Sequence, residues 1–564
     1  MLQPLGFALL LFALGFLIYS PALSGTFVFD DFDLREAFST VRLGDLGLLV
    51  SSGRPVLMAT YVVNHRTGEF DPFPFHFTNI LLHCLSALLL WRFLASLFRP
   101  GRFDDWLSPA LRPLLVFGVP LLFLTSPVQT ESVAYISSRS EVLAALFYFL
   151  ALWAFVSPLR ERQPWFAALL ILVLFAGSVG SKQDKVTLPL AILLLDYLGL
   201  AKTDWRKLKE NWRIYGLFLA GGLAGFFIVI RPFLFAPSAG FNLPWQPYLL
   251  TQFRMYFLYL RLLFVPVGLN ADYDIAASHS LGEHLSWLAL LLLISIAVLL
   301  VRYQRRIPLI AFGALFFFLT LAPTTSFFPI LDYAAERRLY LPAAGFFLAV
   351  LPAVFWLARP SARVAGLVLA AVVALYSAGT YQRSVVWADE LRLWQDTVTK
   401  SPEKYRPWTW LGKAYSERGD YNNAVQAWEK AETLVEPESM EHAHVLNNLG
   451  LAYANLGDRP KAVAYYQRAV EIRPREAQFW ANLAVQQLRL GRDNEGWQSF
   501  AKAVEHGGSQ PGVLRLRGQE YYQAGRYREA AADFRQALEI RPEDAVARKN
   551  LAAAEAMIQR MEGR

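Results

Sequence analysis

The chain has 564 residues, of which 55% are hydrophobic and only 18% are charged. Two different halves lie behind this average: residues 1–381 contain 49 Asp, Glu, Lys and Arg, whereas the shorter segment 382–564 contains 51. This division excludes a wholly soluble enzyme and a disordered chain, and a single cysteine, Cys84, excludes an intramolecular disulfide. The net charge of +8 divides into +7 and +1, so the basic excess belongs to the apolar half and no nucleic-acid partner is expected.

Residues 1–381 predict a polytopic bundle of membrane helices. A helix that crosses a bilayer needs roughly 20 apolar residues, and eleven segments approach this length. In chain order they are 5–20, 76–98, 112–126, 141–157, 164–180, 187–200, 214–232, 285–301, 308–322, 340–358 and 364–381. The first is interpreted as a retained membrane helix rather than a signal peptide, because it lacks a basic leader and further apolar segments follow.

The charges between these segments predict a topology. Lys and Arg cluster in alternate connections, which the positive-inside rule assigns to the cytoplasm. The alternation requires that segment 250–266, with Arg254 and Arg261 on one helical face, is an interfacial or re-entrant helix. The N-terminus is then cytoplasmic and the C-terminal half extracytoplasmic. The remaining basic residues and several carboxylates collect on the outer side, which favours a site for an amphiphile with an anionic headgroup.

The second half contains an internal repeat. Gly419, Gly457, Gly491 and Gly525 are separated by 38, 34 and 34 residues, and columns of alanine and aromatic residues keep the same spacing. This pattern predicts about four tetratricopeptide repeats over residues 405–564, closed by a capping helix, Ala545–Glu562. Residues 382–404 are predicted to be a helix that couples the repeats to the membrane domain. A solenoid of this kind has a concave face suited to a protein or peptide partner.

Asp30 and Asp31 form the sharpest candidate for chemistry. Paired carboxylates directly after a membrane span can take a proton from a hydroxyl, or can hold a divalent ion together with Asp33. Adjacent carboxylates also raise one another's pKa, which helps one of them act as a base. The alternative is that they are solvated acids of a turn.

Four basic residues of the same half are suited to phosphate. Arginine binds two oxygens at once and lysine supplies a point charge; the four are Arg139, Lys182, Arg337 and Arg338. His76 and His83 share a helical face and with Glu131 suggest zinc. No further ligand is fixed near them, so packing or hydrogen bonding inside the bundle is the favoured interpretation of the histidines.

These motifs, in this order and followed by the repeats, resemble the transmembrane and tetratricopeptide-repeat O-mannosyltransferases. The quoted motifs are Asp30-Asp31, Arg54-Pro55, His76-x-x-Asn79, Pro127-x-x-Thr130-Glu131, Arg139, Lys182 and Ala335-Glu336-Arg337-x-Leu339-Tyr340-x-Pro342. The resemblance implies an all-α fold of the GT-C type, with about eleven spans and an active site at the outer or lumenal face. It implies that Asp30 and Asp31 are catalytic. The residues expected to bind the phosphate and sugar of the donor are Arg54, His76, Glu131, Arg139, Lys182, Glu336, Arg337 and Arg338.

The expected function is transfer of a sugar from a polyprenyl-phosphate carrier to Ser or Thr hydroxyls of a protein, by one inverting displacement. The solenoid has only four repeats and Lys182 is followed by Gln-Asp, which leaves the sugar and the acceptor open. The compact form suggests a bacterial inner-membrane relative. The alternatives are a lipid- or glycan-directed transferase, an oligosaccharyltransferase with a diphosphate carrier and a metal, and a non-enzymatic scaffold or transporter with a peptide-binding solenoid.

Overall fold

The computed structural model describes residues 4–32, 34, 53–98, 108–200, 212–225, 244–507 and 510–562. Within these ranges every regular element is a helix. The chain divides into two compact units, Met1–Leu393 and Trp394–Arg564. The predicted all-α class, with a membrane bundle and C-terminal repeats, is confirmed.

Fifteen α-helices of the first unit lie in the described ranges. They are α1 (Pro4–Ile18), α2 (Pro55–Gly68), α3 (Pro72–Leu97), α4 (Arg112–Thr125), α5 (Thr130–Ala134), α6 (Arg139–Val156), α7 (Pro158–Arg162), α8 (Pro164–Ser181), α9 (Leu188–Tyr197), α10 (Trp212–Gly225), α11 (Trp245–Phe264), α12 (Ser286–Tyr303), α13 (Pro308–Leu321), α14 (Tyr340–Ala358) and α15 (Ala362–Trp387). Proline fits the start of a helix, where its missing N–H needs no partner, and several of these helices begin with it. Asp71 additionally caps α3 by accepting a hydrogen bond from Phe73 N at 3.0 Å.

Six helical stretches in the described part of the chain are long and apolar enough to cross a membrane. They are Pro72–Leu97, Ile136–Val156, Pro164–Ser181, Glu283–Tyr303, Glu336–Ala358 and Ala362–Trp387. A seventh arises if α4 and the segment Pro127–Ala134, bent by 49°, form one span, and Pro4–Ile18 and Pro308–Thr324 are shorter apolar helices. The predicted segment 214–232 lies partly outside the described residues. The count of eleven therefore stays a prediction.

Close helix packing in this unit depends on two glycines. A Cβ on Gly313 of α13 would come within 2.6 Å of the Gly345 carbonyl oxygen of α14, and a Cβ on Gly345 would equally meet Gly313. The two helix backbones therefore touch directly. Small residues at a crossing permit such contact between membrane helices.

Helix α11 contains most of the segment that was predicted to be interfacial or re-entrant, and it is not among the candidate spans. One face of it is buried and binds the segment that follows α13. Tyr248 Oη donates to Thr324 O at 2.8 Å, and Gln252 Nε2 donates to Tyr333 O at 3.1 Å. The assignment of this helix to the membrane interface stays a prediction.

The division between the units falls within the residue range of helix α16 (Glu390–Lys400), and nine helices follow it among the described residues. They are α17 (Tyr405–Glu417), α18 (Tyr421–Leu434), α19 (Met440–Asn455), α20 (Arg459–Ile472), α21 (Ala477–Arg489), α22 (Asp493–Gly507), α23 (Pro511–Gln523), α24 (Tyr527–Ile540) and α25 (Ala545–Glu562). Residues 382–404, expected to be one coupling helix, contain the end of α15 and the whole of α16. The two helices are separated at Asp389, whose side chain accepts from Arg392 N at 2.9 Å. The domain boundaries at 381 and 404 stay predictions.

The repeats show why the small residues recur. A Cβ on Gly412 would come within 2.4 Å of Trp428, and one on Gly450 within 2.8 Å of the Tyr466 ring. The aromatic side chain of each second helix therefore packs against the glycine of the first. Trp408 and Trp480 donate from Nε1 to the carbonyl oxygens of Pro402 and Pro474, six residues upstream. Arg548 of α25 makes the equivalent bond to Pro542 O, so this helix begins like a further repeat.

Candidate functional site

The acidic pair lies in a loop after α1. Asp31 is fully buried: its Oδ2 accepts from Val28 N at 3.2 Å, and its Oδ1 accepts from Ser137 N at 2.8 Å and Ser137 Oγ at 2.6 Å. Asp30 is exposed. Between them and the helix, Phe29 has a φ of +53°, a left-handed conformation that is strained for an aromatic residue. The backbone thus turns the two neighbouring carboxylates into different environments.

Burial raises the pKa of the Asp31 carboxyl to about 7, against the opposing effect of the hydrogen bonds from Ser137 and Val28. The negative charge of Asp30 acts in the same direction as burial. Asp31 therefore changes its charge near neutral pH. It does so at a place where its three hydrogen-bond donors fix the loop.

Tyr135 and Ser137 anchor this loop, and neither was singled out from the sequence. Asp30 N donates to Tyr135 Oη at 3.1 Å, and the Tyr135 ring stacks on Trp387 with centroids 5.6 Å apart. Both anchors lie more than 100 residues away from the acidic pair in the chain. Only a local Tyr-x-Ser beside the predicted Glu131 and Arg139 marks them in the sequence, and that signal is too common to be informative.

Arg139 at the start of α6 is fully buried. Its Nε donates to Asn79 Oδ1 at 2.6 Å and its terminal nitrogens donate to Phe75 O at 2.9 Å and Thr60 Oγ1 at 3.2 Å. The guanidinium also lies 4.5 Å from the centre of the Tyr61 ring. Arg139 thereby joins α2, α3 and α6, and each of its three nitrogens already has a partner in the protein.

Glu131 binds Arg337, which lies in the segment between α13 and α14. Arg337 donates from a terminal nitrogen to Glu131 Oε1 at 2.5 Å and from its backbone N to Glu131 Oε2 at 2.9 Å. The Arg337 side chain is 24% exposed, whereas that of Glu131 is 1% exposed. Asp332 lies 3.4 Å from the other terminal nitrogen. The Arg337 side chain is therefore partly exposed while a buried carboxylate orients it.

Arg338 and Glu336 have different surroundings from Arg337. Arg338 is buried and donates to the carbonyl oxygens of Asp332 at 2.6 Å and Tyr333 at 3.2 Å. Glu336 Oε1 accepts from Tyr273 Oη at 2.8 Å and from Asn270 N. Both side chains thus bind neighbouring loops of the protein.

Lys182 follows α8 and pairs with Glu141 of α6. The other oxygen of Glu141 lies 2.8 Å from Lys185 Nζ, which also binds Asp184 at 2.9 Å. Burial lowers the pKa of Lys182, and the Glu141 carboxylate opposes this effect. Arg54 reaches the same segment, because its Nε donates to Gln183 Oε1 at 3.3 Å.

The two histidines lie on α3. His83 is hydrogen-bonded to Tyr340 Oη at 2.7 Å and to Leu124 O at 3.1 Å, as expected for a histidine inside the bundle. His76 is buried beside Gly25, where a Cβ would come within 3.0 Å of its ring. In the described ranges no three or more His, Cys, Asp or Glu side chains are grouped as ligands of a metal ion. Asp33, named as a possible ligand, lies outside those ranges.

One short segment connects most of these residues. Residues 131–141, here called the central segment, bind Arg337, the acidic loop, Asn79 and Lys182 through side chains or backbone at 131, 135, 137, 139 and 141. Through them the acidic loop, α3, the end of α8 and the start of α14 meet at one end of the helices. The structure therefore brings together residues that the sequence spreads over more than 300 positions.

Fold and site together define a class: a helical membrane protein with a buried acidic and basic cluster at one end of its bundle and a tetratricopeptide-repeat unit. Family models described as "Tetratricopeptide repeat" match residues 405–475, 447–511 and 511–544. Two solved repeat structures are also similar over part of the chain. A thermophilic repeat protein of Thermus thermophilus is 22% identical, covering 33% of this chain and 95% of its own with a TM-score of 0.27. MamA is 20% identical, covering 31% and 95% with a TM-score of 0.24.

Curated relatives point to a more particular group. A Caenorhabditis elegans protein named protein O-mannosyl-transferase F38B6.6 is 27% identical over 74% of this chain and 62% of its own. Human protein O-mannosyl-transferase TMTC1 is 24% identical over 80% and 57%, and mouse TMTC4 is 26% identical over 73% and 64%. The chain spans about three fifths of the length of these relatives. The resemblance expected from the motifs is confirmed.

Proposed function

We propose that this protein is a membrane glycosyltransferase that attaches a sugar to Ser or Thr hydroxyls of a protein. The names of its relatives suggest mannose. The observation that carries the proposal is the connection of the acidic loop to Arg337 and Lys182 through the central segment. Such a site combines a carboxylate for a hydroxyl proton with cations for a phosphate leaving group.

Asp30 is the general base in this proposal. It is exposed, whereas Asp31 is fully buried. A base must reach the proton that it removes, so access favours Asp30. Asp31 is a positioning residue that fixes the loop to Ser137, and its charge near neutral pH depends on that contact.

The donor in this proposal is a polyprenyl-phosphate sugar. The acceptor hydroxyl oxygen bonds to the anomeric carbon, its proton passes to Asp30, and the bond from that carbon to the phosphate oxygen breaks with its electron pair on the phosphate. One displacement inverts the anomeric centre. Arg337, with a 24% exposed side chain, binds the phosphate, and Lys182, with a 16% exposed side chain, is the second cation.

The other residues that were predicted to bind the donor hold Arg337 and the neighbouring loops in position. Arg139 and Arg338 direct their guanidinium groups to protein oxygens, and Glu131 and Glu336 are buried partners of Arg337 and of the loop at Tyr273. Arg54 binds Gln183 next to Lys182, and His76 is buried beside Gly25. The repeats present the acceptor, with the active site and the repeat unit extracytoplasmic and the N-terminus cytoplasmic in a bacterial inner membrane.

The test uses the full chain in lipid nanodiscs with a polyprenyl-phosphate mannose and secreted acceptor proteins. The expected result is a hexose-sized mass increase on Ser or Thr that is lost in Asp30→Asn. Glu69→Gln, which changes an exposed carboxylate of the same unit, is the matched control. If neither mannose nor any other polyprenyl-phosphate sugar reaches a glycoconjugate, or if Asp30→Asn and Asp31→Asn both keep full activity, the assignment is wrong.

A truncation tests the role of the repeats. Removal of residues 401–564 is expected to abolish transfer to protein but to leave slow hydrolysis of the donor, because the proposed chemistry lies in the first unit. Loss of donor turnover as well as transfer, in a variant that still inserts into the membrane, would contradict this division of labour.

A further inference from the structure

Five consecutive apolar residues are exposed between α13 and α14. Phe327, Phe328 and Leu331 have 55%, 48% and 54% of their surface exposed, and Pro329 and Ile330 between them are exposed as well. Residues 327–331 are here called the apolar loop. A run of this length on a surface in water is unfavourable and marks a contact with something apolar.

Both ends of the apolar loop are fixed. Buried Arg338 donates to the carbonyl oxygens of Asp332 and Tyr333 on one side, at 2.6 and 3.2 Å. On the other side Tyr248 Oη donates to Thr324 O at 2.8 Å, and Thr325 Oγ1 donates to Tyr256 Oη at 2.7 Å. The loop is therefore held at both ends with its apolar tip exposed.

Along the chain this loop lies between two apolar helices. It follows the apolar helix Pro308–Thr324 by two residues and precedes the candidate span Glu336–Ala358 by four. Phe327, three residues beyond Thr324, lies within about 11 Å of the helix end, since an extended chain spans at most ~3.6 Å per residue. No ionisable residue occurs between Thr324 and Asp332. Trp245, one turn from the anchoring Tyr248, is 52% exposed, and such indoles favour the headgroup region.

We propose that the apolar loop inserts into the bilayer, at the boundary between the headgroups and the acyl chains, and that Arg338 fixes it there. The acyl chains of bilayer lipids cover Phe327, Phe328 and Leu331. Pro329 has no N–H to desolvate, which favours insertion of the tip. Insertion does not require the proposed transferase activity, although it would place the adjacent Arg337 at headgroup level.

The experiment measures how deep a label at the tip lies. Cys84, the single cysteine, is replaced by Ala, and Phe328→Cys is labelled with an environment-sensitive fluorophore in the full chain. The protein is placed in phosphatidylcholine nanodiscs with nitroxide lipids spin-labelled on the headgroup or near the start of the acyl chain. Glu436→Cys, exposed in the repeat unit, is the matched control.

The proposal expects severalfold stronger quenching at position 328 than at 436 by both nitroxide lipids, and severalfold weaker quenching by iodide in water. Equal quenching by iodide at the two positions overturns it. Quenching by nitroxide lipids that arises only after polyprenyl phosphate is added also overturns it, because the donor tail rather than the bilayer would then cover the loop.

The role of Arg338 is tested in the same protein labelled at position 328. Arg338→Gln, and separately Tyr248→Phe, each remove donors to the ends of the loop, and both are expected to reduce nitroxide quenching at position 328. Tyr248→Phe keeps the ring in place and serves where Arg338→Gln does not fold. Unchanged quenching in a folded variant of either kind shows that the tip inserts without this clamp.

Discussion

An ion pair of the membrane unit and one of the repeat unit differ strongly in how far their side chains are buried. In the membrane unit the pair Lys185–Glu141 has side chains only 2% and 1% exposed, whereas in the repeat unit the pair Arg528–Glu562 is 77% and 57% exposed. Burying charge costs free energy unless it is paired, so buried pairs indicate a function or a unique arrangement rather than added stability. The repeat unit has columns of buried alanine and aromatic residues, whose burial is favourable. Substitutions should therefore affect activity in the first unit and stability in the second.

The largest effect is expected for Asp30→Asn. An amide cannot accept the acceptor proton, and loss of a general base costs about 100- to 10,000-fold in rate. Initial rates of transfer to an acceptor protein measure the effect, and Glu69→Gln should leave them unchanged. A folded Asp30→Asn protein with wild-type rates would show that Asp30 is not the general base.

Trp428→Ala should produce the largest effect on stability. Trp428 is 2% exposed, packs on Gly412 and donates from Nε1 to Thr409 O at 2.9 Å. Truncation of a buried tryptophan costs about 3–5 kcal/mol of the free energy of unfolding. Pulse proteolysis of the full chain measures it, with Trp428→Phe as a milder control. Donor hydrolysis by the first unit should persist, and its loss would show that the two units are not energetically separate.

Arg337→Lys should lower kcat/KM for the donor by roughly 10- to 100-fold. Lysine cannot bind Glu131, Asp332 and a phosphate with one planar group, and a charged hydrogen bond contributes about 1.5–3 kcal/mol. Steady-state kinetics at varied donor concentration measures this loss. Arg92→Lys, at an exposed position of α3, is the control. An unchanged kcat/KM would place the phosphate elsewhere.

Ser137→Ala should shift the acid limb of the pH–rate profile. The pKa of Asp31 is raised to about 7 by burial, and the Ser137 hydrogen bonds oppose that effect. Removing the hydroxyl therefore raises the pKa further, by about one unit, since one unit corresponds to about 1.4 kcal/mol. On acidification Asp31 is then protonated at a higher pH than in the wild type. The activity therefore begins to fall at a higher pH.

The neighbouring Ser138→Ala serves as the control for this shift, because Ser138 is buried close by but does not bond Asp31. If Ser137→Ala lowers the rate equally at every pH, Ser137 only stabilises the loop. If Asp31→Asn removes the acid limb altogether, the limb belongs to Asp31.

The smallest effect is expected for Arg528→Ala. An exposed ion pair contributes at most about 1 kcal/mol and often nothing measurable. Pulse proteolysis should show a change in the free energy of unfolding below about 0.5 kcal/mol, as for most surface substitutions. A larger loss would mean that exposed pairs contribute more to the repeat unit than its apolar columns suggest.

Much of the fold could be predicted because it follows from local patterns. The repeat spacing identified the glycines that adopt a φ near +75°, at Gly419, Gly491 and Gly525, and the alanine columns that are buried. Hydropathy identified the apolar helices. The number of spans could not be settled in this way, because α9 is only ten residues long and short apolar helices are ambiguous by composition.

The candidate site was predicted in its members but not in their roles. Asp30 and Asp31 are chemically identical neighbours, and Arg337 and Arg338 are another such pair. In each pair one side chain is buried with protein partners, and the other, Asp30 or Arg337, is at least partly exposed. Tyr135 and Ser137 were missed because they act by position in space rather than by a reactive group of their own.

The sequence by itself thus determined the helical class, the repeats and the set of charged residues, since these depend on periodicity and on the cost of charge in an apolar segment. Only the tertiary structure decided which carboxylate and which arginine are exposed. The reason is that burial depends on contacts between distant residues, such as the hydrogen bond between Asp31 and Ser137, which are more than 100 residues apart in the chain. It likewise decided that Arg338 binds the base of the apolar loop. Long-range contacts of this kind leave no periodic trace in the sequence.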